Sequence, residues 1–346
     1  MIESSPSVPD WESAKTYDYH LPRSRIAQVP LEPRSASRLL VAIGGAVQDC
    51  RVSDLPRFCA PGDVVVVNST RVMRARLRLK RASGAAIEVL LLAPFDNGGF
   101  GEALVRPSAR VREGEMLYWG DVPALRVDEP LSGDFDGARP RKVWAAAPGL
   151  VNEIGEVPLP PYIHKTLEDD ERYQTVYSEE LGSVAAPTAG LHLDEGVLSD
   201  LRAQGADVVD VTLHVGMGTF APLGAESVSQ HHIHKESYHI RPEVFEKILA
   251  AKRRVVIGTT VVRTLETAAL SGRLSGVSEL FITPGFHFQL TDLLLTNFHV
   301  PRSTLLCLVA AAVGPDWRRY YDHALEQGYR FLSFGDAMLC EVRSWE

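Results

Sequence analysis

Short alternating or apolar segments, broken by Gly, Pro and Asp, fill the chain from about residue 73 to 152. The run Arg76-Leu-Arg-Leu-Lys80 alternates with period two, as a strand with one wet face does. Residues 87–92, 103–105 and 116–119 repeat the style. Strands at this spacing, without helical periodicity, predict a small antiparallel barrel or sandwich. From about residue 178 onward, strand and helix signals alternate instead. Asp194 caps a predicted helix through Ala203, with Gly205 just past its end, and 208–215 reads as a buried strand. Pro242 starts a helix with Val244, Phe245, Ile248 and Leu249 on one face. It closes at Lys252, Arg253 and Arg254, where positive charge suits the end of the dipole. Residues 255–257 read as a strand, 258–260 as a turn and 261–269 as a helix. Pro301 opens a helix whose body, 305–313, is apolar nearly throughout and therefore buried. Pro315 opens the last helix, and Gly328 ends it.

This alternation predicts an α/β domain. The run Gly62-Asp-Val-Val-Val-Val67 is a buried strand that precedes the all-β region, so the β module is inserted into the α/β domain. The expected division is a loose extension over 1–15, an α/β domain over 16–72 and 153–346, and the inserted module over 73–152.

Composition narrows the class. With 346 residues, 45% of them apolar and 23% charged, the chain can bury real cores. The apolar run 305–313 is about half of the roughly 20 residues that span a bilayer, so no membrane crossing is expected. Glu3, Asp10 and Glu12 precede any apolar run, the wrong order for a secretory signal. Four cysteines (Cys50, Cys59, Cys307 and Cys340) stand far apart with no Cys-x-x-Cys pair, which fits a reduced cytosol. The net charge of −8 opposes indiscriminate binding to nucleic acid. Yet Arg71, Arg74, Arg76, Arg78, Lys80 and Arg81 follow one another with no acidic residue between, and Arg106, Arg110 and Arg112 come next. Such a strip either binds one shaped RNA or is a solvated strand face.

Five stretches are candidates for chemistry. The loop from Gly182 to His192 is built of small residues, including Thr188 and Gly190, that let backbone amides approach a ligand; a tight structural turn is the competing reading. In 212–220, alternation puts Thr212 and His214 on one strand face, and Gly216 and Gly218 bend the chain at the strand end. A satisfied core histidine is the alternative there. His231, His232, His234, Glu236 and His239 crowd one stretch, but they match no zinc-ligand spacing, so acid–base work or RNA contact fits better than metal. At the strand–helix joint 258–266, Thr259 and Thr260 with the helix amides suit a carboxylate or phosphate. Arg263 either completes a bidentate clamp or pairs with Glu266 on the helix surface. Last, Asn297, His299, Arg302, Ser303 and Thr304 surround the start of the buried helix and make a pocket wall. Phe286 and Phe288 flank His287 and fit the core better than a stacking role.

Taken in order, these stretches closely resemble the S-adenosylmethionine:tRNA ribosyltransferase-isomerase family of queuosine biosynthesis. The matching segments include Tyr17-Asp-Tyr-His-Leu-Pro22, Pro158-Leu-Pro-Pro-Tyr-Ile163, Glu171-Arg-Tyr-Gln-Thr-Val-Tyr177, Gly182 to His192, Gly258 to Glu266 and Thr296-Asn-Phe-His299. They cover nearly the whole chain after residue 16. The resemblance implies a mixed-sheet α/β domain carrying a small antiparallel β-barrel. It also implies transfer and isomerisation of the ribosyl part of S-adenosylmethionine onto 7-aminomethyl-7-deazaguanine in the tRNA anticodon. Epoxyqueuosine would form, adenine and methionine would leave, and the donor would serve as co-substrate without a metal. No obligate protein partner is implied, and the setting is cytoplasmic.

That chemistry needs a base for the C5′ hydrogens made acidic by the sulfonium, and a proton donor for ring opening and loss of adenine. Histidines tuned near neutrality can serve both needs. The candidates carried over are His192, His214 and His299, with Asp292 as an orienting or basic carboxylate. Donor binding falls to Thr188, Gly190, Gly216, Gly218, Thr259, Thr260, Arg263 and Asn297, with Thr259, Thr260 and Arg263 on the methionine carboxylate. RNA contact falls to Arg71, Arg74, Arg76, Arg78, Lys80, His231 and His234. His214, Thr259 and His299 are expected around one pocket at the strand ends. Ser69, Arg74, Leu193, Asp194, Ala221 and Ile233 depart from the usual family wording. Ser69 stands where Asp is usual and Ala221 where Arg is usual, so a small-molecule amine acceptor is the second reading.

Overall fold

The structure, a computed structural model, describes residues 9–132, 138–216, 223, 226–231 and 233–345. The first two strands, β1 (Arg38–Ile43) and β2 (Ala46–Arg51), form a hairpin. They are followed by β3 (Asp63–Asn68) and the short β4 (Thr70–Val72). Six strands then close a barrel: β5 (Arg76–Arg81), β6 (Ala86–Leu91), β7 (Phe100–Arg106), β8 (Glu115–Trp119), β9 (Val122–Pro130) and β10 (Arg141–Ala145), in the order β10-β7-β6-β5-β8-β9. Every pair in it is antiparallel. Alternation in β5 turns Leu77 and Leu79 into the barrel core and leaves Arg76, Arg78 and Lys80 outside.

After the barrel come α1 (Pro148–Ile154), β11 (Glu180–Ser183), α2 (Glu195–Ala203), β12 (Asp207–Leu213), β13 (Glu236–His239), α3 (Pro242–Ala250) and β14 (Arg253–Ile257). The chain ends with α4 (Thr259–Ser271), β15 (Ser275–Ser278), β16 (Leu293–Asn297), α5 (Thr304–Val313), α6 (Asp316–Glu326) and β17 (Ala337–Glu341). One nine-stranded sheet, ordered β15-β13-β12-β3-β14-β16-β17-β1-β2, takes strands from both sides of the barrel. The fold is thus a mixed α/β sheet with a closed six-stranded barrel. Among the described residues, no helix is long and apolar enough to cross a membrane.

Both faces of the sheet are covered, which is why β3 is apolar without alternation. Val64 and Val66 pack under α3 to α6, whereas Val65 and Val67 pack under α2 and the turn at 52–58. Each of these fully buried valines contributes on the order of 1.5–3 kcal/mol. Strands β12, β3, β14 and β16 are parallel, so their carboxyl ends lie on one edge. Local signals place the helices as expected: Asp194 accepts from the Val197 amide at 3.0 Å to cap α2, and Arg254 donates to the Ile248 and Leu249 carbonyls at the end of α3. Two expected starts move. Gly258 (φ 93°) alone makes the turn, so α4 begins at Thr259. Arg302 sits at φ 53°, so α5 begins at Thr304 with Ser303 as its cap rather than at Pro301. Phe286 and Phe288 pack edge-to-face at 5.1 Å against the main core.

Candidate functional site

The carboxyl edge of the parallel strands carries a hollow, the place where open α/β sheets hold ligands. Thr188, Val215, Thr259, Thr260, Asn297 and His299 line it. An adjoining hollow shares Thr188, Asn297, His299 and Leu305, and adds Tyr162 and Ser333. A third shares Leu305 and is lined by His231, His234, Arg263 and Thr304.

Backbone geometry builds the first hollow. The four parallel strands end together, and Asn68 at the end of β3 extends their ladder with its side chain. It donates to the Leu213 carbonyl at 3.0 Å and accepts from the Leu213 and Thr70 amides. Gly258 turns the chain from β14 into α4, whose first amides have no carbonyl one turn back and so point outward as donors. Thr259 and Thr260 stand at that end of the helix.

Asn297 is the best-determined polar group in the site. Its Nδ2 lies 3.3 Å from the Leu332 carbonyl, which can only accept, so the amide nitrogen faces that side. The same nitrogen donates to His192 Nε2 at 2.9 Å. His192 therefore carries its proton on Nδ1 and donates to Ser37 Oγ at 3.0 Å. Asn297 Oδ1 is left to accept the Thr188 hydroxyl at 2.9 Å. Burial pushes the His192 imidazole down to about 4, so it is neutral at pH 7.

His299 faces both of the first two hollows. Its Nε2 is 2.9 Å from Thr296 Oγ1, and its backbone amide donates to the Tyr321 hydroxyl at 3.0 Å. Burial lowers its pKa to about 3, which keeps the ring neutral. Tyr162 reaches the cavity from the Pro-rich segment after the barrel and is hydrogen-bonded to Ser333 at 2.7 Å. Burial raises its pKa to about 12.

The expected residues do not all meet. Thr259 and His299 share one hollow, but His214 is not among the residues that line it. His214 Nδ1 bonds Thr70 Oγ1 at 2.9 Å, and the ring packs so close to Gly182 that a Cβ there would meet it at 2.6–2.9 Å. Burial lowers the His214 pKa, partly countered by the charge of Glu180. His192 stands one layer behind Asn297, against Ser37, and is a group that positions the asparagine.

Asp292 is at the far end of β16, where it accepts from the Arg254 amide at 2.7 Å and pairs with its guanidinium at 3.3 Å. The length of the strand separates it from the cavity, so the expected catalytic carboxylate is corrected to a strand-end anchor. Arg263 is corrected too. It forms a buried ion pair with Glu236 and donates to the carbonyls of Leu280, His234 and Ser278, leaving no open fork for a donor carboxylate. Glu266 faces elsewhere, accepting from the Gln289 and Leu290 amides and Thr291 Oγ1, so the surface pair with Arg263 does not form.

The glycines sort likewise. A Cβ on Gly190 would sit 2.0 Å from Tyr177 Oη, so that residue is glycine to admit Tyr177, not a ligand. Gly216 stands in open space just after β12, and Gly218 lies outside the described residues.

Of the basic strip, Arg71 pairs with Glu171, Arg74 with Asp170, Arg76 with Glu88, Arg78 with Glu156 and Arg81 with Glu115. Those heads are already occupied by carboxylates. Lys80, Arg106, Arg110 and Arg112 are exposed and form no ion pair among the described residues. His231 packs on Phe281 at 5.8 Å, and with His234 it lines the third hollow. Among the described residues, no cluster of three or more His, Cys, Asp or Glu side chains could hold a metal ion. Tyr162, Ser333 and Ser37 are site residues that motif reading does not single out, and Glu236, read there as part of a histidine-rich stretch, serves instead as the partner of Arg263. For Tyr162 the signal was present in the rigid Pro-Leu-Pro-Pro-Tyr segment.

A family profile described as "Queuosine biosynthesis protein" matches residues 14–340. The chain is 47% identical over 337 residues to the S-adenosylmethionine:tRNA ribosyltransferase-isomerase of Symbiobacterium thermophilum, covering 93% of this chain and 98% of that one. It is 43% identical over 346 residues to the protein of the same name from Thermosynechococcus vestitus, covering 96% of each. It also resembles the crystal structure of S-adenosylmethionine tRNA ribosyltransferase from Thermotoga maritima, at 34% identity and a TM-score of 0.54. That match covers 94% of this chain and 99% of that one.

Proposed function

The chain belongs to the queuosine biosynthesis protein family, and from that membership we infer that it is a tRNA-modifying transferase-isomerase using S-adenosylmethionine as ribosyl donor. The acceptor we propose is 7-aminomethyl-7-deazaguanine in the anticodon loop. The product is epoxyqueuosine, with adenine and methionine released, and the tRNA acceptor puts the reaction in the cytoplasm.

The observation that supports this reading is the hollow at the parallel strand ends. There the N-terminus of α4, Thr188, Asn297 and His299 converge on one space. The donor's methionine carboxylate suits the first amides of α4 with the Thr259 and Thr260 hydroxyls. Thr188 Oγ1 and Asn297 Oδ1 offer their remaining lone pairs as acceptors to the ribose hydroxyls. His299, neutral at pH 7, can exchange a proton with the donor, and His214, beside Thr70 and Gly182, is the second candidate for proton transfer once the acceptor base is seated. A base whose aminomethyl nitrogen attacks the donor must leave the anticodon stack to reach this depth.

Mass spectrometry of precursor-bearing tRNA after incubation with enzyme and donor tests the reading. Epoxyqueuosine and tRNA-dependent release of adenine are expected. Release of adenine without tRNA would point to a small-molecule amine acceptor, and no release at all would sink the proposal.

A further inference from the structure

We propose that Glu236 and Arg263 form a positioning pair that sets where the chain leaves β12, and through it the wall of the donor cavity; this rests on the function proposed above. Both side chains are buried, Glu236 at 2% exposure and Arg263 at 5%. Glu236 binds Arg263 through Oε2 and accepts from the Gly216 amide through Oε1 at 3.0 Å. Gly216 directly follows Val215, which lines the first hollow. Among the described residues, no atom lies within 4 Å of the place a Gly216 Cβ would take. Val215 itself is held by Ser183 Oγ, to which its amide donates, and by the Val184 and Ala185 amides, which donate to its carbonyl, so the carboxylate fixes the next peptide, at Gly216.

Arg263 fixes the carboxylate in turn. It is anchored by three carbonyls from two other segments, those of His234, Ser278 and Leu280. It rises from the second turn of α4, whose first residues, Thr259 and Thr260, line the hollow. One buried ion pair thus ties the Gly216 amide, next to Val215 in the cavity wall, to the helix whose first residues line the same cavity. Desolvating two charges costs as much as the pair gains, so such a pair adds little stability that two apolar side chains would not supply. What it supplies is one defined geometry.

The test compares wild type, Glu236→Gln and Arg263→Lys in the full chain. Glu236→Gln keeps an oxygen toward Gly216 but loses the charge that anchors it. Arg263→Lys keeps the charge but loses the fork. Two readouts are taken: hydrogen exchange of the peptide containing Gly216, and binding of S-adenosylmethionine by calorimetry. Both variants should fold, exchange the Gly216 amide at least tenfold faster and bind the donor about tenfold more weakly. Wild-type exchange at Gly216, or donor affinity within twofold in folded variants, would overturn the proposal. So would loss of the folded state in both variants, because the pair would then be a stability element. Failure of the wild type to bind the donor would count against the proposed function instead, and the exchange data would still decide the role of the pair.

Discussion

Asn297 donates its side-chain amide to His192 Nε2 at 2.9 Å, and this bond joins the Leu332 carbonyl in directing Oδ1 to the Thr188 hydroxyl. With His192 in place, Oδ1 faces Thr188 and the hydroxyl is held as a donor to it. Without the imidazole, the amide loses one of its two buried acceptors at a cost of about 1–3 kcal/mol and is held by the longer bond to Leu332 alone. His192→Ala should therefore weaken donor binding about tenfold or more, and Asn297→Ala should do the same. Asp292→Ala is the contrast, since its carboxylate serves Arg254 at the other end of β16. That variant should keep donor affinity within about twofold, as titration calorimetry on the three proteins would show. Equal losses in all three would mean that the cavity is not the donor site.

The two buried imidazoles make stability depend on pH in a defined direction. An unfolded histidine takes up a proton near pH 6.5, whereas His192 resists until about 4 and His299 until about 3. Between those limits the unfolded chain binds more protons than the folded one, so stability falls as pH falls below 6.5. Above 6.5 both rings are neutral in either state, and their contribution is flat. Each should remove on the order of 1–2 kcal/mol by pH 5. Urea unfolding from pH 7 to 5 should show this slope, and His299→Gln should flatten it. An unchanged slope in that variant would mean the ring is solvated.

Gly182 is as much a part of the His214 environment as Thr70 is. A Cβ there would meet the imidazole at 2.6–2.9 Å, so Gly182→Ala must push the ring away from Thr70. If His214 moves a proton, the variant should lose about tenfold or more in single-turnover ribosyl transfer, the low end of what acid–base groups contribute. Donor binding should change little. Thr70→Val, which removes only the hydroxyl partner, should follow in the same direction. Full turnover in both would leave His299 as the proton-transfer group.

The elements were legible where the signal is local. Period-two alternation in β5, the Asp194 cap of α2 and the basic end of α3 each depend on residues within a few positions of one another. The site was legible only in outline, because its assignments depend on partners distant in sequence. Asp292 and His299 lie seven residues apart, yet an extended strand carries them to opposite edges of the sheet. Arg263 opens a helix as a ligand-binding arginine would, but Glu236 had already claimed it from 27 residues away. Gly190 reads as a ligand-cradling glycine until Tyr177 is seen to occupy the space above it. The charge of the Arg71–Arg81 run was visible, while the carboxylates that neutralise it come from Glu88, Glu115, Glu156, Asp170 and Glu171.

That neutralisation shifts the expected RNA contact outward along the barrel. Phosphates gain most from cations not already paired, because each contact then releases a counterion without breaking an ion pair. Lys80, Arg106, Arg110 and Arg112 meet that condition, and Arg112 lies at the β8 entrance, where its amide donates to Glu115. Arg110→Glu combined with Arg112→Glu should weaken tRNA binding in low salt and lower the log–log salt slope by about one for each lost contact. Arg78→Glu, which breaks an exposed pair with Glu156, should alter the slope less. Donor affinity measured without tRNA should stay at the wild-type value in all of them. Filter binding across a salt series separates the possibilities. A larger slope change for Arg78 than for the 110/112 pair would return the RNA to the inner strip, and with it the orientation in which the anticodon meets the cavity.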